Sequence, residues 1–293
     1  MQLNEPTKFN FNVPTLADKA MLVRLTRSMY QPYAFDRNVT EKVNYETGVR
    51  KAGRFNKRLL LDCYQLRETN AAFNDVYQYT LLNTVPWLDD GFRMFPADRY
   101  FDFQRGLREL MDEANRQADR LAAVWDVLVA DDMSRLGSLA NSDDYPRDIR
   151  QRYSVAVKFM PIPTANDFRV AVSDEDRQSL NDAIAEAEAN VTKYLIGELL
   201  DPIKRAVEKL AVPIGDEGSI FRDSLLVNIT EQVERARNLN LGADPRITEL
   251  CDSIKAAVGG FDKAPDMLRE DISARQATQE KLAAIARKMG GIF

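Results

Sequence analysis

Three aspartate pairs are the first residues that could do chemistry: Asp89-Asp90, Asp131-Asp132 and Asp143-Asp144. Adjacent carboxylates offer the oxygen donors that Mg²⁺ or Ca²⁺ takes. Asp89-Asp90 has no third acid at the ligand spacing of an EF-hand loop. Each pair falls where aspartate serves structure: turn-rich stretches for the first and third, a helix end for the second. The expectation is no metal, no cofactor and no catalytic residue. The chain contains no histidine. That removes Ser-His and Cys-His nucleophile pairs, imidazole acid–base work near neutrality and nearly all zinc sites. "GGFD" at 259–262 lacks the following Lys-Ser/Thr of a phosphate-cradling loop, and no Gly-x-Ser-x-Gly elbow occurs.

Charge is the second signal. Residues 1–58 hold eleven Lys/Arg against five Asp/Glu, a balance of +6; the whole chain carries −5, so the rest carries −11. Tyr45, Arg50, Lys51, Arg54, Phe55, Lys57 and Arg58 close this basic stretch. Cations attract phosphate and aromatic faces stack on bases, so these seven are the candidate nucleic-acid contacts. In the bland alternative the rings are core and the charges are a solvated face.

The elements that would position these residues follow from periodicity. In 20–30, Val23, Leu25 and Met29 alternate with Arg24, Thr26 and Ser28, which predicts a half-buried strand. From 54 to 83, Phe55, Leu59, Cys63, Leu66, Phe73, Tyr77 and Leu81 recur at spacings of three and four, with Asn70 as one polar interruption. That predicts a helix of roughly 30 residues. Tyr100, Phe103, Leu107, Leu110, Ala114, Ala118, Leu121, Trp125 and Leu128 predict a second, ending near Gly137. Two such helices joined by a compact connection predict an antiparallel coiled-coil hairpin. The connection, "TVPWLDDGFRMFPAD", has turn chemistry at Asp89-Asp90-Gly91, and Trp87, Phe92 and Phe95 would form an aromatic knob for partner binding.

Beyond a turn-rich stretch at 140–146, residues 153–159 and 168–172 alternate and predict a loose β-hairpin. With the strand near Val23 this makes a small antiparallel sheet of about three strands. The last third is helical. "SDED" at 173–176 is a capping-box start; Pro202 should kink or split the long helix that follows; Asp244 caps another; a final helix covers 265–289. The fold class is α+β, mainly α: a long antiparallel helical hairpin, a small antiparallel sheet and a C-terminal helical bundle. The organisation is 1–140, strand plus helical hairpin, and 146–293, β-hairpin plus helical region, which can pack as one domain.

The two cysteines, Cys63 and Cys251, each lie on an apolar stripe and are expected as buried free thiols. No apolar run approaches the ~18 residues of a membrane span. The opening "MQLNEPTKFN" lacks the basic-then-apolar order of a signal peptide, so a reducing cytoplasm is expected.

The Pro-Trp-x-x-x-Gly joint, the Asp-Tyr-Pro turn of "DDYPRD", the Pro-x-Pro of "MPIP" and the "FRDS" helix start occur in that order. In this combination the chain resembles a family of proteins of unknown activity encoded by tailed bacteriophages. The resemblance implies a phage origin and expression in the host bacterial cytoplasm; it supplies no catalytic residues. The functional expectation is a non-enzymatic helical scaffold or adaptor, self-associating as a homo-oligomer or docking a phage or host protein, without membrane contact. The alternative is a single-stranded DNA-binding accessory protein in phage replication or recombination.

Overall fold

The apolar stripes of residues 64–82 and 100–123 become two helices that lie antiparallel. The Thr69 hydroxyl donates to the Gln117 carbonyl at 3.2 Å. Further along the pair, the Tyr79 and Phe103 rings stack at 5.6 Å. The computed structural model describes residues 16–87, 91–162, 173–214, 223–258 and 264–291. In chain order its elements are α1 (Leu16–Lys19), β1 (Ala20–Ser28), β2 (Tyr33–Phe35), α2 (Arg37–Glu46), β3 (Asn56–Arg58), α3 (Tyr64–Leu82), β4 (Val85–Pro86), β5 (Arg93–Pro96), α4 (Tyr100–Ala123), α5 (Trp125–Leu136), β6 (Ser154–Pro161), α6 (Asp174–Ala211), α7 (Asp223–Asn238), α8 (Pro245–Val258), α9 (Ala264–Glu270) and α10 (Ile272–Gly290). The protein is mainly helical with a small antiparallel sheet.

The strands form a sheet in the order β4-β5-β1-β6 and a separate ribbon of β2 and β3. The connection between α3 and α4 is therefore itself a hairpin. Val85 faces Met94 across β4 and β5, and β5 runs antiparallel to β1 with Ala20 opposite Pro96 and Val23 opposite Arg93. Of the loose hairpin read from the sequence, the first strand is β6; the expected partner at 168–172 lies outside the described residues.

The chain falls into two units, each assembled from separate stretches. The described residues of Met1–Arg24, Leu82–Tyr100 and Phe159–Phe293 make the first; Leu25–Leu81 and Phe101–Lys158 make the second. The expected joint at 140–146 lies within the second unit.

In the first unit α6 packs on α7 and α10, α8 packs on α7 and α10, and β4 lies on α6. Leu195, Ile196, Leu199, Ile203, Ile229, Cys251, Ile254, Leu282 and Met289 are fully buried there. Helix α6 continues through Pro202 as one helix, so of the expected kink or split the split does not occur. A proline inside a helix costs about 3 kcal/mol. Burial of Leu199, Leu200, Ile203 and Ala206 on either side of Pro202 exceeds that, at roughly 1.5–3 kcal/mol per large side chain. The end of α6 is closed from a distance: the buried Arg275 guanidinium donates to the carbonyls of Lys209, Leu210 and Val212 and to that of Leu268. These include last-turn carbonyls that have no partner inside their own helix. The single helix expected over 265–289 is two, because Asp271 leaves the helical conformation and caps α10, accepting from the Ser273 and Ala274 N–H groups.

In the second unit the helices are shorter than expected. Helix α3 begins at Tyr64; the residues before it form β3 and a tight turn in which Leu60 and Asp62 have positive φ. The second expected rod breaks at Val124 into α4 and α5. Asn70, the polar interruption, is satisfied: it accepts from the Tyr153 hydroxyl at 2.8 Å. Cys63 precedes α3 and is only half-buried, whereas Cys251 is buried as expected and burial pushes its thiol up.

Candidate functional site

The exposed basic and aromatic residues collect on one small module of the second unit, the β2–α2–β3 segment. Ribbon register places Tyr33 opposite Arg58, Ala34 opposite Lys57 and Phe35 opposite Asn56. Strand side chains alternate, so Tyr33, Phe35, Asn56 and Arg58 share one face and Ala34 and Lys57 the other. The first face is open: Tyr33 is 59% and Phe35 44% exposed, and Asn56 and Arg58 are exposed with them. Arg54 lays its guanidinium over the Phe35 ring, 4.6 Å from the centroid.

The opposite face explains the orientation. Lys57 has 4% of its side chain exposed. Its ammonium lies 2.6 Å from an Asp144 carboxylate oxygen, 3.4 Å from Asp36 and 2.6 Å from the Leu139 carbonyl. Burial alone would lower the Lys57 pKa, but the Asp144 and Asp36 carboxylates outweigh it and hold the pKa raised. Asp36 is also the N-cap of α2, accepting from the Val39 N–H at 3.0 Å. That bond, with Lys57 adding to it, holds the Asp36 carboxyl below the ordinary aspartate range.

The loop between α2 and β3 is tied from below. Gly48, at φ +69°, turns the chain out of α2, and Lys51 also takes a positive φ. Asn44 accepts from the Gly53 N–H at 3.1 Å, and the Thr40 hydroxyl accepts from the Phe55 N–H at 2.9 Å. Arg50 and Lys51 therefore project from a braced loop. On α2 itself, Arg37 pairs with Glu41 and Lys42 lies near Glu46. Arg50, Lys51, Arg54 and Arg58 have no carboxylate within 4 Å among the described residues. None of the residues of α2 is buried, and Tyr45 at its end is 88% exposed.

Six of the seven charge-based candidates are thus displayed together: Tyr45, Arg50, Lys51, Arg54, Phe55 and Arg58 are exposed. Lys57 is a correction. It stands in the middle of the cationic run yet is buried against two carboxylates, because strand alternation turns it away from its neighbours. Tyr33 and Phe35, aromatics interleaved in the same basic stretch, were not among the seven candidate contacts; their spacing by two, the period of a strand face, was the available signal.

The aromatic knob is not assembled as a free surface. Trp87 is 7% and Phe95 1% exposed. Trp87 joins Val85 and Met94 in the core of the first unit, and Phe95 packs against the rings of Phe159 and Tyr100. Phe92 is half-buried, with the Arg24 guanidinium 5.4 Å from its ring centroid. The reason is the β-hairpin, which lays the connecting segment along β1 where a projecting bend was expected. Leu88, Asp89 and Asp90 lie outside the described residues.

In each of the other two aspartate pairs one member does structural work, Asp144 by receiving Lys57 and Asp132 in the turn before α3. Asp132 is buried and accepts from the Leu60 N–H at 2.6 Å and the Tyr145 hydroxyl at 2.7 Å, clamping the positive-φ turn before α3. Tyr145 and Tyr30 both pack edge-on against Trp125. Burial, then the charges of Asp132 and Asp144, push the Tyr30 phenol up to about 12. No helix among the described residues is long and apolar enough to cross a membrane. This chain matches no protein-family model, no curated protein and no solved structure in the comparisons made.

Proposed function

We propose that this protein is a non-enzymatic nucleic-acid-binding protein whose contact surface is the β2–α2–β3 module, acting in the host bacterial cytoplasm that the phage resemblance implies. The observation that supports this reading is the set of four exposed cations, Arg50, Lys51, Arg54 and Arg58, with no carboxylate within 4 Å among the described residues, on the same module as exposed aromatic rings. Exposed rings alone would suit a protein partner equally well. Cations without a carboxylate partner at the same place favour a polyanion, because each phosphate neutralised releases counterions. The acidic excess of −11 lies outside residues 1–58, so the whole-chain charge of −5 does not remove this local surplus.

Fluorescence anisotropy with a labelled oligonucleotide at several salt concentrations tests it. Binding should weaken steeply with salt, by a log–log slope of about −0.7 per phosphate contact on a single strand. Replacing Arg50, Lys51, Arg54 and Arg58 together by Ala should weaken binding and flatten that slope. Absence of binding at low ionic strength refutes the proposal.

A second reading, a self-associating scaffold or an adaptor for a phage or host protein, draws on one observation: Val43 and Val49 are exposed near Tyr45. Light scattering coupled to size exclusion distinguishes it. A monomer over a wide concentration range removes the homo-oligomer form of this reading.

A further inference from the structure

Resting on the nucleic-acid reading above, we infer that the ribbon takes an extended single strand with its bases drawn apart, one base on Tyr33 and the next on Phe35. The two rings stand on one strand at positions separated by two, about 6.6 Å apart along the backbone at 3.3 Å per residue. Bases in a helical strand follow one another at about 3.4 Å. Two neighbouring bases can meet both rings only when they are separated to roughly twice that spacing. A duplex hides its base faces within its own stack and presents only edges and phosphates, so Tyr33, and the surface of Phe35 that Arg54 leaves exposed, would find nothing to stack on.

The flanking chemistry fits the same occupant. Arg58 lies directly opposite Tyr33 and Arg54 is held against Phe35, so each ring has a guanidinium beside it for the adjoining phosphate. Asn56, opposite Phe35, supplies an amide that can donate to and accept from a base edge. Lys57 fixes the choice of face: with its ammonium held by Asp144, Asp36 and the Leu139 carbonyl, a one-residue slip that would turn the rings inward is excluded.

The test compares a labelled oligothymidylate of about 12 nucleotides with a duplex of equal length at one low ionic strength. The full-length protein is used, together with its Tyr33→Leu/Phe35→Leu variant. The single strand should bind about tenfold or more tightly than the duplex. The variant should lose about tenfold or more on the single strand, with an unchanged salt slope because the phosphate contacts remain. Circular dichroism and a thermal melt check that the variant is folded; the comparison of strands on the wild-type protein does not depend on it. Equal affinity for duplex and single strand overturns this inference while leaving the nucleic-acid reading intact. So does a folded variant that keeps wild-type affinity. Failure of both oligonucleotides to bind overturns the inference and the reading together.

Discussion

The Lys57 ammonium sits 2.6 Å from the Asp144 carboxylate, in a place where only 4% of the lysine side chain meets solvent. This pair, with Asp36 as a second acceptor, anchors the exposed ribbon to the body of its unit. Breaking a buried pair from one side leaves a charge without compensation. Lys57→Met should therefore cost about 3 kcal/mol in urea unfolding, and combination with Asp144→Asn should recover part of that loss in a double-mutant cycle. The pH dependence has two edges. Lys57, with its folded pKa raised, contributes stability that is full below the ordinary lysine value and is lost as pH rises through the folded one. Asp36, held low, contributes above the ordinary aspartate value and loses that contribution as pH falls. Denaturation midpoints measured across both ranges check the signs.

Trp87 separates a core role from a docking role. As part of the first unit's interior, its replacement by Ala should destabilise the protein by about 3–5 kcal/mol. Oligonucleotide affinity, measured where the variant is still folded, should stay at the wild-type value. A variant of wild-type stability that loses a partner would instead restore the aromatic-knob reading.

Gly106 makes room on α4 for the Tyr79 side chain of α3. A Cβ built there would stand 2.3 Å from the Tyr79 hydroxyl oxygen and 2.6 Å from its ring. Gly106→Ala should cost about 1–3 kcal/mol despite alanine's better helix propensity, through displacement of the Tyr79–Phe103 stack. Adding Tyr79→Leu should give back part of that stability if the clash is the cause; chemical denaturation of the two variants decides it.

Asp244 caps α8, accepting from the Arg246 N–H at 2.9 Å, and it also pairs with the Arg246 guanidinium and accepts from Thr192. The Arg246 side chain is the largest cause that holds the Asp244 carboxyl down, at about 2. Asp244→Ala should cost about 1 kcal/mol at neutral pH, the usual scale of a lost cap. Because the folded pKa is depressed, the difference between wild type and variant should be present above the ordinary aspartate value and shrink as pH falls toward about 2. A difference that stays constant down to that pH would refute the assignment.

Local periodicity carried much of the architecture. Alternation over 20–28 is β1, the three-and-four spacing of Leu66, Phe73, Leu107, Ala114, Ala118 and Leu121 is the antiparallel helix pair, and Ser173 and Asp244 cap the helices that begin after them. These features depend on residues within a turn or two of one another, so a single stretch of sequence contains their cause. Helix ends were less legible. The start of α3, the break at Val124 and the cap at Asp271 follow from contacts and backbone angles that no stripe records.

Which side of each element faces inward was settled only by tertiary packing. Lys57 and Arg58 are adjacent cations, yet one is buried and one exposed, because the carboxylate that receives Lys57 comes from Asp144, far along the chain. Trp87 and Tyr45 are both large aromatics outside the apolar stripes read from the sequence. One joins an interior supplied largely by helices α6–α10, while the other has no such surface folded over it. The sequence by itself determined the apolar stripes of the main helices, the alternating strand and the cationic surplus of its first 58 residues. Tertiary structure decided which of those cations and rings meet solvent, since burial depends on partners that are distant in sequence and become neighbours only in the folded chain.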